Sequence, residues 1–244
     1  MKRQAQAVVL FLIGGTVIRA SFTDLYLRYV KAGLRPFLLV AGVVLITAAV
    51  ATVWYEVRRP REGAANRSAS EHGDSGGHTH HEPRIAWFLA LPVLALILVA
   101  PPPPGSYSAG RTGTALQRPP GFPTLPAGDP LRLSVLDYAG RAVFDHGRSL
   151  DDRKIKLTGF ITLGDSGAPY LSRMSLNCCA ADAQPVKVGL SGRVPPTLQP
   201  DAWLEITGTY SKKKAKDPVN DGAIPFIDVS RARPVKAPHN QYEN

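Results

Sequence analysis

Cysteine is scarce in this chain: there are 2 among 244 residues, and the two, Cys178 and Cys179, are adjacent. A scaffold held together by several disulfide bonds is therefore excluded, and any folded domain must be stabilised by an apolar core. Several catalytic motifs are absent too, since the sequence contains no P-loop, no Rossmann glycine pattern and no HExxH. We therefore expect a protein that is not an enzyme.

Charge is absent from the stretch PFLLVAGVVLITAAVATVWY, residues 36–55. A helix of this length covers ~30 Å, which is the thickness of the hydrocarbon core of a bilayer. Trp54 and Tyr55 end the stretch with the aromatic pair that is typical of a membrane interface. A buried helix of a soluble protein normally has a polar stripe, and this stretch has none. The stretch therefore predicts a membrane span.

Two further apolar runs flank this span. The first, residues 5–18, follows Lys2 and Arg3 and is short for a span unless the helix continues towards Tyr29. A cleaved signal peptide is the alternative, but the apolar and aromatic residues that continue as far as Tyr29 favour an uncleaved helix. The second run, residues 85–100, is at the lower length limit and is stopped by successive prolines. Residues 1–104 are thus predicted to form a membrane region with three spans.

The segment at residues 56–84 is rich in Gly, Ser and charge, and it lacks residues that would form a core. Its excess of arginine is typical of a cytoplasmic loop. The loop carries four histidines among several carboxylates, namely His72, His78, His80 and His81. Imidazole and carboxylate together suit a divalent transition metal such as zinc. Because the histidines show no fixed ligand spacing, a purely solvated linker is an equally good interpretation.

After the prolines, residues 105–130 are full of Gly, Pro, Ser and Thr and are predicted to be a linker to a domain at residues 131–244. This domain begins with a short helix or turn region and continues with five β-rich segments: KIKLTGFITL, YLSRMSLNCC, PVKVGL, AWLEITGTY and IPFIDVSRARPV. Gly159 and Gly208, within two of these segments, indicate strongly bent strands. We predict a small all-β barrel similar to an OB-fold, with a β-sandwich as the alternative.

The formal net charge of the chain is +10. This charge suits nucleic acid, but in a membrane protein lysine and arginine also set the topology and contact anionic lipid. The aromatic residues of the predicted strands are few enough to be needed in the core, and they would not remain available as base-stacking platforms. We therefore expect the lipid bilayer as a partner and no nucleic acid.

The stretch Asn-Cys-Cys-Ala-Ala-Asp, residues 177–182, is the most distinctive part of the domain. Adjacent Cα atoms are ~3.8 Å apart, below the ~4.4 Å at which ordinary disulfides begin, so a bond between Cys178 and Cys179 would be strained and easily reduced. In a regular strand the two side chains would face opposite sides, whereas a bulge or a strand end removes that objection. Asp182 and His146 would join a metal site only if the fold brings them close. The alternative is that one cysteine is buried as a small hydrophobe.

Small residues in the first two apolar runs indicate surfaces for close helix packing. They are Gly14, Gly15 and Gly42, and Arg19 offers a polar contact beside them. Three spans with few polar groups do not make a substrate path by themselves, because transporters place polar residues and broken helices at the bilayer midplane. We therefore expect these four residues to contact a larger membrane protein.

The chain resembles the YcgQ-type bacterial membrane proteins over nearly its whole length. The resemblance rests on the apolar N-terminal region, the His-bearing loop, the proline stop and the segments KIKLTGF, SRMSLNCCAADAQPV, WLEITGTY and PFIDVSRARPV, with residues 178–182 as the most specific part. It implies a permease subunit that accompanies a larger multi-span permease-like protein, and it implies no catalytic residues.

Together these observations predict a non-catalytic accessory subunit of a permease complex in the plasma membrane of a bacterium. The β domain, outside the cytoplasm, would capture or gate a solute, with a divalent metal as a candidate. Cys178, Cys179 and Asp182 are its candidate functional residues. The alternative is a membrane-anchored binding or thiol-redox module that acts without a permease.

Overall fold

The structure, a computed structural model, describes residues 2–58, 102–164 and 167–243, together with Leu91, Leu94, Ala95, Leu98 and Val99. The chain forms two compact units, and the first consists of Met1–Tyr26 and Gly33–Pro101. The second consists of Leu27–Ala32 and Pro102–Asn244, so six residues from the N-terminal region belong to the β domain. The four histidines of the loop at residues 56–84 lie outside the described residues, as does most of the apolar run at 85–100.

The first unit is built on two helices, α1 (Lys2–Phe22) and α2 (Arg35–Arg58), with short 3-10 helices at Asp24–Arg28 and Ala32–Leu34. Within the described part of the chain, one helical stretch, Ala32–Arg58, is long and apolar enough to cross a membrane. The apolar part of α1, Gln6–Phe22, is shorter than a span requires, because the α-helix stops at Phe22 and does not continue to Tyr29. The prediction of three spans is therefore reduced to one N-terminal apolar helix, which fits a membrane span or a signal sequence.

The helices α1 and α2 pack closely at two glycines. A Cβ atom added to Gly14 would lie 2.9 Å from Ile46 Cγ1 and 3.0 Å from the carbonyl oxygen of Gly42. A Cβ added to Gly42 would likewise collide with the side chain of Ile18. Both glycines are therefore used inside the helix pair, where small residues let two backbones approach.

Five strands close into a barrel in the second unit. They are β2 (Ile155–Leu163), β3 (Pro169–Ser175), β4 (Gln184–Gly192), β5 (Trp203–Lys216) and β6 (Ala223–Pro234). Around the ring the order is β2-β5-β6-β4-β3, and β3 pairs with β2 to complete it. Adjacent strands are antiparallel except β4 and β6, which are parallel. The all-β barrel is thus confirmed, and the closed ring differs from the sandwich that was its alternative.

Two short strands extend the sheet beyond the ring. Strand β1 (Leu131–Arg132) pairs in parallel with β2, and β7 (Tyr242–Glu243) pairs in parallel with β3. Strand β5 includes the lysines at 212–214 and Lys216. It is therefore longer than the segment AWLEITGTY from which it was predicted.

At Gly159 and Gly208 the backbones of neighbouring strands approach closely. A Cβ on Gly159 would lie 2.7 Å from the carbonyl oxygen of Ser172 on β3, and a Cβ on Gly208 would overlap the carbonyl oxygen of Asp228 on β6. The pairing of β5 with β6 shifts register between Thr207 and Gly208, which identifies a β-bulge there. A larger side chain at either position would push neighbouring strands apart, and glycine is required for that reason.

The barrel core is filled from one side by helix α4 (Val135–Phe144), which contacts all five strands of the ring. Ser134 caps the helix, because its hydroxyl accepts a hydrogen bond of 2.9 Å from the N–H of Asp137. The face of α4 that carries Val135, Tyr138 and Ala142 is fully buried against core residues of the strands. The hydroxyl of Tyr138 donates to the carbonyl oxygen of Phe226 at 2.6 Å, so its polar end is satisfied inside the core.

Residues 105–130, predicted as a linker, are packed against the barrel unit. They include a short helix, α3 (Ser106–Arg111), and a buried residue, Thr114. The backbone N–H of Thr114 donates at 3.0 Å to Asp217, which also forms a buried ion pair of 2.8 Å with Lys187. The linker prediction rested on composition, because the segment has no periodic apolar pattern. In the structure, hydrogen bonds to residues far away in the sequence hold the segment in place.

Candidate metal centre

The two cysteines lie in the connection between β3 and β4. Strand β3 ends at Ser175, a 3-10 turn covers Ala180–Asp182, and β4 begins at Gln184. Cys178 is exposed and Cys179 is half-buried, and both are free thiols. The pair therefore lies beyond the end of a strand, where the chain turns, and the two side chains are not forced to opposite faces.

Asp182 organises this turn through both oxygens of its carboxylate. One oxygen accepts a hydrogen bond of 3.1 Å from the N–H of Asn177, and the other accepts one of 2.9 Å from the N–H of Cys178. The second oxygen also accepts from the thiol of Cys178 at 3.0 Å. These hydrogen bonds, first among them the one from the thiol, lower the pKa of Asp182, because they stabilise the ionised carboxylate.

The same contact has the opposite effect on the thiol. The hydrogen bond to Asp182, followed by the contact with Cys179, raises the pKa of Cys178 from 9.0 to about 11. The thiol is neutral when it donates to a carboxylate, and ionisation would place two negative charges side by side. At neutral pH Cys178 is therefore a poor nucleophile until a cation replaces its proton.

The ligand atoms of Cys178, Cys179 and Asp182 lie within 4.8 Å of one another. The two sulfur atoms are 3.7 Å apart. Two thiolates on a tetrahedral zinc ion, each at ~2.3 Å from the metal, are separated by ~3.7 Å, so the sulfur pair already has the required spacing. The 3.0 Å contact between the Cys178 sulfur and Asp182 would open to ~3.6 Å as the metal replaces the shared proton. The donor set of two thiols and one carboxylate fits zinc.

A short segment from the N-terminal region supports the turn. The N–H of Lys31 donates to the carbonyl oxygen of Cys178 at 3.1 Å, and the N–H of Ala180 donates to the carbonyl oxygen of Tyr29 at 2.6 Å. Val30 thus lies opposite Cys179 in an isolated antiparallel bridge. Sequence reasoning missed this partner, since two β-prone residues, Tyr29 and Val30, are too short a signal to predict a strand.

Other predicted site residues do not join this centre. His146 is exposed in the turn after α4 and is not part of the cluster. Of the residues predicted to contact a membrane partner, Gly14 and Gly42 face each other's helix, whereas a Cβ on Gly15 would meet nothing within 4 Å. Arg19 is exposed. The four loop histidines lie outside the described residues.

Comparison with known families gives one match. Residues 141–243 match the model of the DUF1980 C-terminal domain, an uncharacterised family. The matched region begins within α4 and includes the whole barrel, the cysteine turn and β7. No curated protein and no solved structure matches the chain. The match does not confirm the YcgQ-type resemblance, so the permease partner stays a proposal.

We predict that Asp182→Asn makes Cys178 more reactive. An amide cannot hold the thiol proton as the carboxylate does, so the pKa of Cys178, now about 11, should fall towards 9.0 and the thiolate fraction at pH 8 should rise. Alkylation by iodoacetamide at that pH should be faster by on the order of tenfold or more. The measurement is peptide mass spectrometry of Cys178 over time, with Asp201→Asn as the control. Equal rates in all three proteins would contradict the role given to Asp182.

Proposed function

We propose that this protein is a non-catalytic, membrane-anchored accessory subunit whose barrel binds a divalent transition metal such as zinc and presents it to a multi-span permease-like partner. The observation that carries the proposal is the convergence of Cys178, Cys179 and Asp182 within 4.8 Å. Two sulfur ligands favour zinc and softer ions over magnesium or calcium, which prefer oxygen ligands.

The position of the site suits a metal that is exchanged. Structural zinc sites have four protein ligands and are closed, whereas three ligands leave a position open to water or to a ligand from another molecule. Among the described residues, three supply ligand atoms, and one of them, Cys178, is exposed at the surface. A barrel with the buried core described above does not need a metal to fold. The bound metal would therefore be a transported ion and not a structural one.

The open coordination position of the metal also gives a partner protein a role. A metal held by two thiolates leaves such a site readily only when another set of ligands takes it over, and a permease would supply those ligands. The resemblance to the YcgQ-type proteins points to the same kind of partner. Helix α2 carries large exposed apolar residues along its length, among them Phe37, Val44 and Trp54, as expected for contact with lipid or with other membrane helices.

The membership of the second unit supports a multi-pass topology. Leu27–Ala32 precede α2 in the chain and yet belong to the same compact unit as the barrel. A compact unit lies on one side of a bilayer, so if α2 crosses the membrane the chain must cross again before Pro102. The apolar run at residues 85–100 is the place in the sequence for this second crossing. The Arg-rich loop at 56–84 would then be cytoplasmic and the barrel outside.

The ring order also supports assignment of the barrel to the OB type. An OB-fold is a five-stranded Greek-key barrel, and it binds ligands with the loops at one end and with the face of its second and third strands. The cysteine turn connects β3 to β4, the second and third strands of this ring in chain order. The proposed metal site therefore lies at the end of the two strands whose face binds ligands in OB-folds.

We predict that the purified full-length protein in detergent binds Cd²⁺ and Zn²⁺ at one site. The measurement is titration of the thiolate-to-cadmium absorbance, followed by displacement with Zn²⁺. Cys178→Ser, Cys179→Ser and Asp182→Asn should each weaken binding at least about 100-fold, since loss of even an indirect support of a metal site costs 10- to 100-fold. Apparent affinity should rise with pH, about tenfold per unit for each thiol proton displaced, because the pKa of Cys178 lies near 11.

The matched control is a protein in which His72, His78, His80 and His81 are all changed to Ala. It should bind the metal as the unchanged protein does if the cysteine turn is the site. Loss of binding in this variant together with full binding in Cys178→Ser would move the site to the loop and contradict the proposal.

We predict that affinity capture from gently solubilised membranes recovers a multi-span protein together with this chain. Gly15→Leu should reduce its recovery several-fold, because Gly15 faces open space on α1 and a larger side chain would block close helix approach. Gly33→Leu is the matched control, since a Cβ atom added to Gly33 would also meet nothing within 4 Å, but Gly33 lies outside α1. Recovery of the chain alone, with its metal site intact, would favour an anchored binding module that acts without a permease.

We predict that alkaline phosphatase, which needs an oxidising compartment for its disulfides, is active when fused after Asn244 and inactive when fused after Arg67. The two positions test the barrel and the loop separately. Activity in the reverse pattern would invert the orientation. Activity at both positions would show that the chain does not cross the bilayer an odd number of times between them.

A further inference from the structure

A cleft of about 430 Å³ lies in the second unit beside the cysteine turn. Its lining comes from parts of the chain that are far apart in the sequence. They are Lys31, residues 115–122, the N-terminal part of α4 with its cap Ser134, and the two ends of the cysteine turn. Asp182 lies at its edge, whereas the two cysteines do not line it. The volume falls in the range of ~300–1,000 Å³ that is usual for sites of small molecules.

Two cations, Lys31 and Arg118, line the cleft. Within the part of the chain that the structure describes, no carboxylate forms an ion pair with Lys31 or Arg118. The carboxylates of the cleft are already engaged: Asp137 binds Arg141 at 2.9 Å, and Asp182 accepts the hydrogen bonds of the turn. Asp182 keeps its negative charge because its donors are neutral, and the two charges of Lys31 and Arg118 outweigh it, so the cleft favours an anion.

The remaining walls define what kind of anion fits. Amide side chains of Gln117, Asn177 and Gln184 offer further hydrogen-bond donors. Phe122 and Leu136 provide apolar surface for a carbon skeleton. A guanidinium group such as that of Arg118 binds a carboxylate through two parallel hydrogen bonds. A bare inorganic anion would leave most of this volume and the apolar wall unused.

We propose that the cleft binds a small organic anion with two or more carboxylates, held by Arg118 and Lys31. The proposal does not rest on metal binding, because neither the two cations nor Gln117 belongs to the cysteine turn. The backbone hydrogen bond from Lys31 to Cys178 places the lysine at the cleft, so the segment that supports the turn also completes the anion site.

The test is equilibrium dialysis of the full-length protein in detergent against radiolabelled citrate, in buffer freed of metal with a chelating resin. The unchanged protein should bind citrate saturably, with one molecule per chain. Arg118→Gln and Lys31→Gln should each weaken binding at least tenfold, and Arg118→Lys should lose less than Arg118→Gln because it keeps the charge. Arg111→Gln is the matched control, since Arg111 lies over the Tyr107 ring, 4.8 Å from its centroid, and does not line the cleft.

Two further measurements separate this proposal from its competitors. Excess inorganic phosphate should displace far less citrate than unlabelled citrate does, and equal displacement would overturn the assignment to organic acids. Cys178→Ser should bind citrate as the unchanged protein does. Loss of citrate binding in that variant, or equal binding in Arg118→Gln and the unchanged protein, would overturn the cleft as the site.

Discussion

Closure of the barrel depends on β2, which pairs with β5 through Ile155–Phe160 and with β3 through Phe160–Leu163. These two pairings join the ends of the strand order into a ring. Gly159 lies at the change of partner, where a Cβ would press on the carbonyl oxygen of Ser172. Because the ring is closed, the connections between its strands are held at defined positions. The turn from β3 to β4 is one of them, and its location beside α4 follows from closure.

The C-terminal strand then ties the surrounding segments to this ring. Both oxygens of Glu243 accept hydrogen bonds from the N-terminal turn of α4, from Val135 at 3.0 Å and from Leu136 at 2.8 Å. Arg173 on β3 lies 3.3 Å from the same carboxylate, although burial still raises the pKa of Glu243. Tyr242, next to it, donates to the carbonyl oxygen of Arg28 at 2.7 Å. Strand β7 thus connects the helix, the barrel and the segment from between α1 and α2, and these are the parts that surround the cysteine turn.

Asp182 links the two proposed sites. Its carboxylate holds the cysteine turn through backbone N–H groups, offers a metal ligand and borders the anion cleft. A metal ion that replaces the thiol proton would therefore change the charge at the edge of the cleft. If both proposals hold, the barrel would bind a metal ion and an organic anion next to each other, with Asp182 between them.

The sequence by itself determined the features that depend on neighbouring residues. The uncharged run at 36–55 lies within α2, the five β-rich segments correspond to β2 to β6, and Gly159 and Gly208 lie where neighbouring strands approach closely. Cys178, Cys179 and Asp182 could be singled out because they are close in the chain. The tertiary structure alone decided that α1 stops at Phe22, that residues 105–130 pack on the barrel and that Lys31 and Arg118 line one cleft. These outcomes depend on hydrogen bonds and packing between segments far apart in the chain, for which local propensity and spacing carry no signal.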